Sequence, residues 1–530
     1  MNATTAATVL ALTGLLVASC GAAPSTPGVV GGLADNATFT AAIPADPGAL
    51  DPATGILSVT NTVLNFAYDT LVGMRPDGTL TPALATKWDI RPESVTFTLR
   101  KDVTCADGSP VTPSVVAENF THIADPATKS PVYGVLVPAG IKAEADDAAG
   151  TVTLTMPQPF SFIVESAAQV YIVCGKGLKD RSLLARHTSG SGLFQLAEAV
   201  SGDHYTLTRR QDYAWGPEGV TARTPGLPAK VVLKVVPNEQ TAVNLLRSGA
   251  LNLATVQGPD RQRLEADRSI AKTVIGAANG QFFYHQGEDR PTGYPAVRKA
   301  LTQGVNLMEL AAIAAEGTGR KATSLMLEPR PCKGDSVSGH MPVHDPAAAA
   351  AALDAAGWRP GPDGVRVKDG KRLTLRFLYV TTHGQGVLAA AEYLAATWKK
   401  LGAEVRLNGV IDTKLAESLN VTQDWDVVWL PIGVALPSQL TGFLSGPSAP
   451  KGANFAHVNN SRYNELVAKA SARPAAESCP DWLAAESALF EAADLVPVVE
   501  NTAVVATKGA TLEGFASLVT PTSIRMTKAG

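Results

Sequence analysis

The sequence predicts an α/β protein on mixed sheets, organised as about two or three folding units. Three observations point there. Short apolar runs of strand period alternate with runs of helical period along almost the whole chain. The chain has 530 residues, well beyond a single domain of roughly 100–200 residues. Hydrophobic residues make up 45% and charged residues 18%, enough to fill a sizeable core and too apolar for a disordered chain.

In order along the chain, Leu57, Asn61, Leu64, Tyr68 and Leu71 share one helical face, which predicts a helix over 60–71. Pro76-Asp77-Gly78 is a turn, because Pro presets φ and Asp-Gly accepts positive φ. Val95, Phe97 and Leu99 alternate with Thr96 and Thr98 as a half-buried strand. Thr112-Pro113 opens a helix through Phe120, with Thr112 as N-cap and Pro113 at the first helical position. Val152, Leu154 and Met156 form a strand stopped by Pro157. Tyr205 and Leu207 lie on another, and 231–236 is more apolar still. Helices are predicted over 239–247, 295–307, 346–356 and 387–401, with Gly249, Gly357 and Gly402 as stops. Strands are predicted over 373–380, 405–410 and 426–430. No repeat with a period of about 20–50 residues is present.

Charge excludes one class of partner. Lys and Arg total 45 and Asp and Glu 48, a formal net charge of −3, so nucleic acid is not expected. The densest basic group, Lys368, Lys371 and Arg372 around Asp369-Gly370, reads as a solvated hairpin tip. A mean hydropathy of +0.07 is too low for a polytopic membrane protein.

Residues 1–19 carry no charged side chain, and the apolar run over 9–18 is too short to span a bilayer. It ends in Val17-Ala18-Ser19-Cys20, which resembles a bacterial lipoprotein lipobox: small residues fit the peptidase cleft and the Cys20 thiol accepts lipid. The expectation is a signal peptide over 1–19, lipidation of Cys20 and a Gly/Pro/Ser-rich tether over 20–33.

Four stretches carry a wider resemblance. The first runs from Tyr68-Asp-Thr-Leu-Val72 through Pro76-Asp-Gly-Thr-Leu-Thr-Pro82 and Trp88 to Asp107-Gly-Ser-Pro-Val-Thr112. The second is Gly190-Ser-Gly-Leu-Phe194 with Gln211-Asp-Tyr-Ala-Trp215. The third is Pro295-Ala-Val-Arg298-Lys-Ala-Leu301 followed by Ala355-Ala-Gly-Trp358. The fourth is Asn459-Asn-Ser-Arg-Tyr463 with Asp494-Leu-Val-Pro497. Together they resemble, in order, the family 5 solute-binding proteins of ABC importers, the oligopeptide, dipeptide and nickel binding group. The resemblance implies a two-lobed, periplasmic-binding-protein-like fold (type II, with an extra subdomain). Lobe I would comprise 34–66, 190–284 and 500–530, the added subdomain 67–189, and lobe II 285–499. Two crossing strands would form the hinge, near Tyr284–Gln286 and Val498–Asn501.

It also implies a monomer that serves an ABC permease and its ATPase subunits, binds a peptide or a similar polar solute, meets the membrane through its lipid anchor and needs no cofactor. Four cysteines remain besides Cys20, and they allow three pairings. Cys105 with Cys174 and Cys332 with Cys479 keeps each pair inside one implied lobe; buried free thiols are the alternative. Trp425 and Trp429 flank the strand that runs toward the ligand in the family, and Trp429 is the candidate aromatic wall. Tyr284 and His285 lie where the hinge strand faces the ligand. Peptide-binding members place an Asp shortly after the Trp429 strand. Here 427–450 contains no Asp or Glu, which leaves Asp426, a residue elsewhere, or a ligand without that cation.

No enzyme constellation is present. Ser189-Gly-Ser191-Gly192 lacks the spacing of a nucleophile elbow, no His-Glu-x-x-His occurs, and the 364–371 glycines do not space as a phosphate loop. His340 and His344 are spaced as candidate metal ligands, and Pro342 works against a helix that would align them. Two other readings stay open: an envelope lipoprotein using this fold as an interaction or regulatory module, and a binder of metal, metal chelate or haem through His340, His344 and His285.

Overall fold

The structure, a computed structural model, describes residues 32–55, 57–258, 260–515 and 518–528. The expected signal peptide, Cys20 and the tether up to residue 31 lie outside the described residues.

One large mixed sheet runs through the molecule. Its main strands are β1 (Thr38–Ile43), β2 (Phe194–Val200), β3 (His204–Arg209), β4 (Lys230–Val235), β5 (Leu253–Val256), β6 (Ala271–Tyr284), β7 (Thr374–Val380), β8 (Glu404–Val410), β9 (Val427–Trp429) and β10 (Leu495–Thr507). In space the order is β8-β7-β9-β6-β10-β5-β1-β4-β3-β2. β1 pairs with β4 and β7 with β8 in parallel, while β6 and β10 pair antiparallel along most of their length. A separate four-stranded sheet, 85–91, 94–99, 151–155 and 142–146, carries the inserted subdomain.

The long pair β6 and β10 joins the two lobes. At one end, Leu253–Val256 of β5 pairs with Val504–Thr507 of β10 in the first lobe. At the other, Val427–Trp429 of β9 pairs with Phe282–Tyr284 of β6 in the second. Between them the register of β6 slips at Gly276/Ala278 and again at Gly280/Gln281. Such slips bend and twist a strand pair, as a crossing between lobes requires. The expected crossing near Val498–Asn501 lies opposite this region. Its partner falls at 276–281 and not at Tyr284–Gln286, because Tyr284 is already packed in the second lobe's core with Phe282 and Trp398.

Apolar periodicity located most of the shorter elements. Thr112 Oγ1 accepts from Val115 N and Pro113 opens a helix that continues to Ala124. The 366–368 and 371–372 strands close around Asp369-Gly370 as a hairpin. Two helices depart from expectation. The 295–307 run is two helices, Pro295–Gln303 and Leu307–Ala314, because Asn306 accepts from Glu309 N and starts the second. The first helix is Ser58–Ala67 and stops short of Leu71. There Gly192 N donates to the Ala67 carbonyl, and a Cβ at Gly190 or Gly192 would strike Ala67 and Tyr68. The Gly190-Ser-Gly192 spacing thus lets one backbone dock against another.

Cys105 is bonded to Cys174 in the subdomain, and Cys332 to Cys479 in the second lobe.

Candidate ligand-binding cleft

A cavity of about 1130 Å³ opens between the lobes. Its first-lobe wall begins where the Ser58–Ala67 helix ends, at Tyr68, Asp69 and Thr70. Three distant segments fix this corner. Ser191 Oγ and Trp215 Nε1 both donate to Asp69 Oδ2, at 2.8 and 3.0 Å, and Ser189 N donates to the Tyr68 hydroxyl at 3.0 Å. Burial pushes the Asp69 carboxyl upward from its ordinary value, against these hydrogen bonds. Ala168, Gln169 and Tyr171 extend the wall on the subdomain side. Burial likewise pushes the Tyr171 phenol well up. The second lobe contributes 327–329, 433–435 and Gln439. Leu327 N donates to the Val434 carbonyl at 2.9 Å, and Ala435 N and Leu436 N donate to Gln439 Oε1, so this wall is braced from within. Apolar, aromatic, amide and charged groups therefore line the space, the mixture that binds a partly polar organic solute.

The lobes also touch beside the cavity. Gln439 Nε2 donates to Gln169 Oε1 at 3.3 Å, and Ser161 Oγ donates to the Ala470 carbonyl at 2.8 Å. Phe162, fully buried, sits in the second lobe's apolar cluster 5.9 Å from the Trp482 ring.

None of the four ligand residues expected from sequence lines this cavity. Tyr284 is buried in the second lobe, its hydroxyl 3.1 Å from Thr302 Oγ1. Trp429 is 1% exposed and packs in the same core over Gly280. His285 packs between Trp425, edge to face, and His457, with ring centroids at 4.8 and 4.5 Å. Burial, assisted by the Arg290 charge, lowers its pKa to about 3, and Nδ1 accepts from Gly287 N. Asp426 is 1% exposed and bound by Arg290 and Arg376. It borders a separate pocket of about 430 Å³ on the second lobe. The strand expected at 426–430 is observed at Val427–Trp429, but both its faces are covered by protein, so its aromatics serve the core. His340 is bonded to Glu491 at 2.7 Å and His344 is exposed. Among the described residues no group of three His, Cys, Asp or Glu side chains is placed to hold a metal.

Gln169, Glu328 and Gln439 were missed, since single polar residues in loops carry no periodic signal. Asp69 stood inside a recognised motif, but its role depends on Ser191 and Trp215, 122 and 146 residues away.

Two α/β lobes joined by paired strands, with a solute-sized cavity between them, define the class of two-lobed solute-binding proteins. The model of the bacterial extracellular solute-binding proteins, family 5 (middle), matches residues 79–453, and the chain belongs to that family. The periplasmic murein peptide-binding protein MppA of Escherichia coli is 25% identical over 512 residues, covering 89% of each chain. The nickel-binding periplasmic protein of E. coli is 26% identical over 400 residues, covering 70% of this chain and 71% of the relative. Among solved structures, the substrate-binding protein CtaP of Listeria monocytogenes superposes with a TM-score of 0.77 at 20% identity, over 93% of this chain and 100% of that one. A substrate-binding protein of Microbacterium hydrocarbonoxydans, complexed with 4-hydroxybenzoate hydrazide, gives 0.74 at 24% identity, over 93% and 100%. These structural likenesses define the fold. The chain is a solute-binding protein.

Proposed function

We propose that this protein is the lipid-anchored receptor of an ABC importer and captures peptides or similar-sized polar solutes by closing its lobes. In this reading residues 1–19 are removed, Cys20 carries the lipid and 20–33 tethers the receptor outside the cell membrane. Lobe I (34–66, 190–284 and 500–530, with subdomain 67–189) and lobe II (285–499) then close on the ligand as a monomer. Ligand that touches both walls stabilises the closed form over the open one, and that difference in contact drives the population shift. The permease reads the closed shape, and separate ATPase subunits supply the energy.

The observation that carries this reading is the cavity of about 1130 Å³ between the lobes. It lies slightly above the roughly 300–1,000 Å³ range of small-molecule sites, so it suits an oligopeptide-sized solute better than a single ion. The test is titration of the folded protein with pools of short peptides, read by calorimetry and thermal unfolding. A pool at about 100 times its Kd stabilises the folded state by about 2.7 kcal/mol. Failure of every pool to bind a well-folded preparation contradicts the reading. The anchor has its own test: Cys20→Ala should release the protein from membranes, and continued membrane retention would contradict lipidation at Cys20.

A further inference from the structure

The short helix Ile163–Ala167 of the subdomain lies in the contact between the lobes, beside the cavity. One side of it, Ile163, Val164 and Ala167, turns into the subdomain's own core. The residues around its ends reach the second lobe. Ser161 Oγ donates to the Ala470 carbonyl, Phe162 enters the apolar cluster of Trp482, and Gln169 meets Gln439. Glu165 stands four residues after Ser161 and four before Gln169, so it shares the side of the helix that faces the second lobe. It is the one charged residue among 160–171.

The charges on the elements packed around this contact are committed elsewhere. Residues 437–444, opposite, contain no charged side chain. On helix Ser461–Ser471, Arg462 is paired with Glu465. Lys469, and Arg473 just beyond that helix, go to Asp481 of helix Ala475–Glu491. On the latter helix Glu486 is held by Ser324 and Ser336 and Glu491 by His340, while Glu477 is exposed and adds only negative charge. On the subdomain side, Arg75 follows the strand Val72–Met74 and is paired with Glu218, and Asp69 is bound by Ser191 and Trp215.

Among the described residues no hydrogen bond or ion pair reaches the Glu165 carboxyl, and burial raises its pKa to about 7. Ser166 Oγ and Ser438 Oγ, one from each side of the contact, are also buried without a partner. Polar groups left in this state weaken the contact that buries them. Once the lobes part, water reaches the Glu165 carboxyl and its pKa returns toward the ordinary 4.5. Closing therefore takes up a proton. It is fully supported below 4.5 and loses support as pH rises toward 7.

We infer that Glu165 makes lobe closure proton-dependent: the contact between the subdomain and the second lobe holds while its carboxyl is neutral and loosens when it ionises. The inference rests on the lobes closing as proposed above.

Small-angle scattering of the ligand-free full chain at pH 5 and pH 8 tests it, on the wild type, Glu165→Gln and Glu165→Leu. The radius of gyration should be larger at pH 8 in the wild type and the same at both pH values in the two variants, which carry no charge to expose. An unchanged radius in the wild type, or a change that persists in a folded variant, overturns the inference. Titration with short-peptide pools at the same two pH values separates this from the receptor reading. The Kd of a bound pool should weaken about tenfold more in the wild type than in Glu165→Gln between pH 5 and pH 8. Equal weakening in the two overturns the inference and leaves the receptor reading standing.

Discussion

Asp426→Asn separates a structural carboxylate from a ligand-reading one. The Asp426 carboxylate accepts from Arg376 Nε and Nη2 at 2.8 and 2.9 Å, from Arg376 N at 2.8 Å and from Arg290 Nη1 at 3.0 Å. Burial alone would raise its pKa; the hydrogen bonds and charge of Arg376 overcome that and hold it below the usual carboxylate range. The amide removes the negative charge and turns an NH2 group toward a guanidinium. Breaking a buried pair from one side costs about 3–5 kcal/mol. Arg376 is 36% exposed and can recover some hydration, so the lower end, about 3 kcal/mol, is expected. The assay is urea unfolding followed by tryptophan fluorescence, with peptide titration in parallel. A clear fall in the unfolding midpoint is predicted, with peptide Kd unchanged within about twofold, because the cavity lies elsewhere. A Kd weakened about tenfold or more at an unchanged midpoint would refute the placement of Asp426 outside the site.

Phe162→Ala should remove about 3 kcal/mol of apolar contact between the subdomain segment and the second lobe, and solution scattering should show a larger radius of gyration; loss of stability with an unchanged scattering profile would contradict a role in holding the lobes together. Glu165, whose carboxyl burial pushes up to about 7, binds its proton more tightly folded than unfolded. Its contribution to stability is full below the unfolded value of 4.5 and is lost as pH rises toward 7. Glu165→Gln should therefore gain about 3 kcal/mol over the wild type at pH 8 and lose that advantage near pH 4, as measured by unfolding at both pH values; an equal difference at the two would contradict the assignment.

The local elements were legible because their signals are local. Alternation at Val95, Phe97 and Leu99 marks a strand observed at Ser94–Leu99, and Gly249 ends a helix observed at Glu239–Ser248. The connecting strands were not. The first half of β6 is mostly exposed and the second half is buried on both faces, so neither half alternates, and Gly276 and Gly280 interrupt it where the lobes cross. The same double burial misled the reading of the site. Tyr284, His285 and Trp429 have residue types suited to a ligand wall, but β9 and the second-lobe end of β6 lie inside the second lobe, and these three side chains are buried against protein. The cavity is instead built by loop ends from separate parts of the chain, such as Tyr68–Thr70, 327–329 and 433–435. Periodicity says nothing about which of these meet. Glu328 beside Arg330 and Gln169 facing Gln439 become visible only through the fold.

Native mass spectrometry of protein freshly purified from its producing cells tests the interlobe site most directly. A bound solute is predicted on the wild-type chain, and Ala435→Trp, which fills the cavity from the second-lobe wall, should lack it while remaining folded. A solute retained in full by Ala435→Trp would place binding elsewhere and contradict the account.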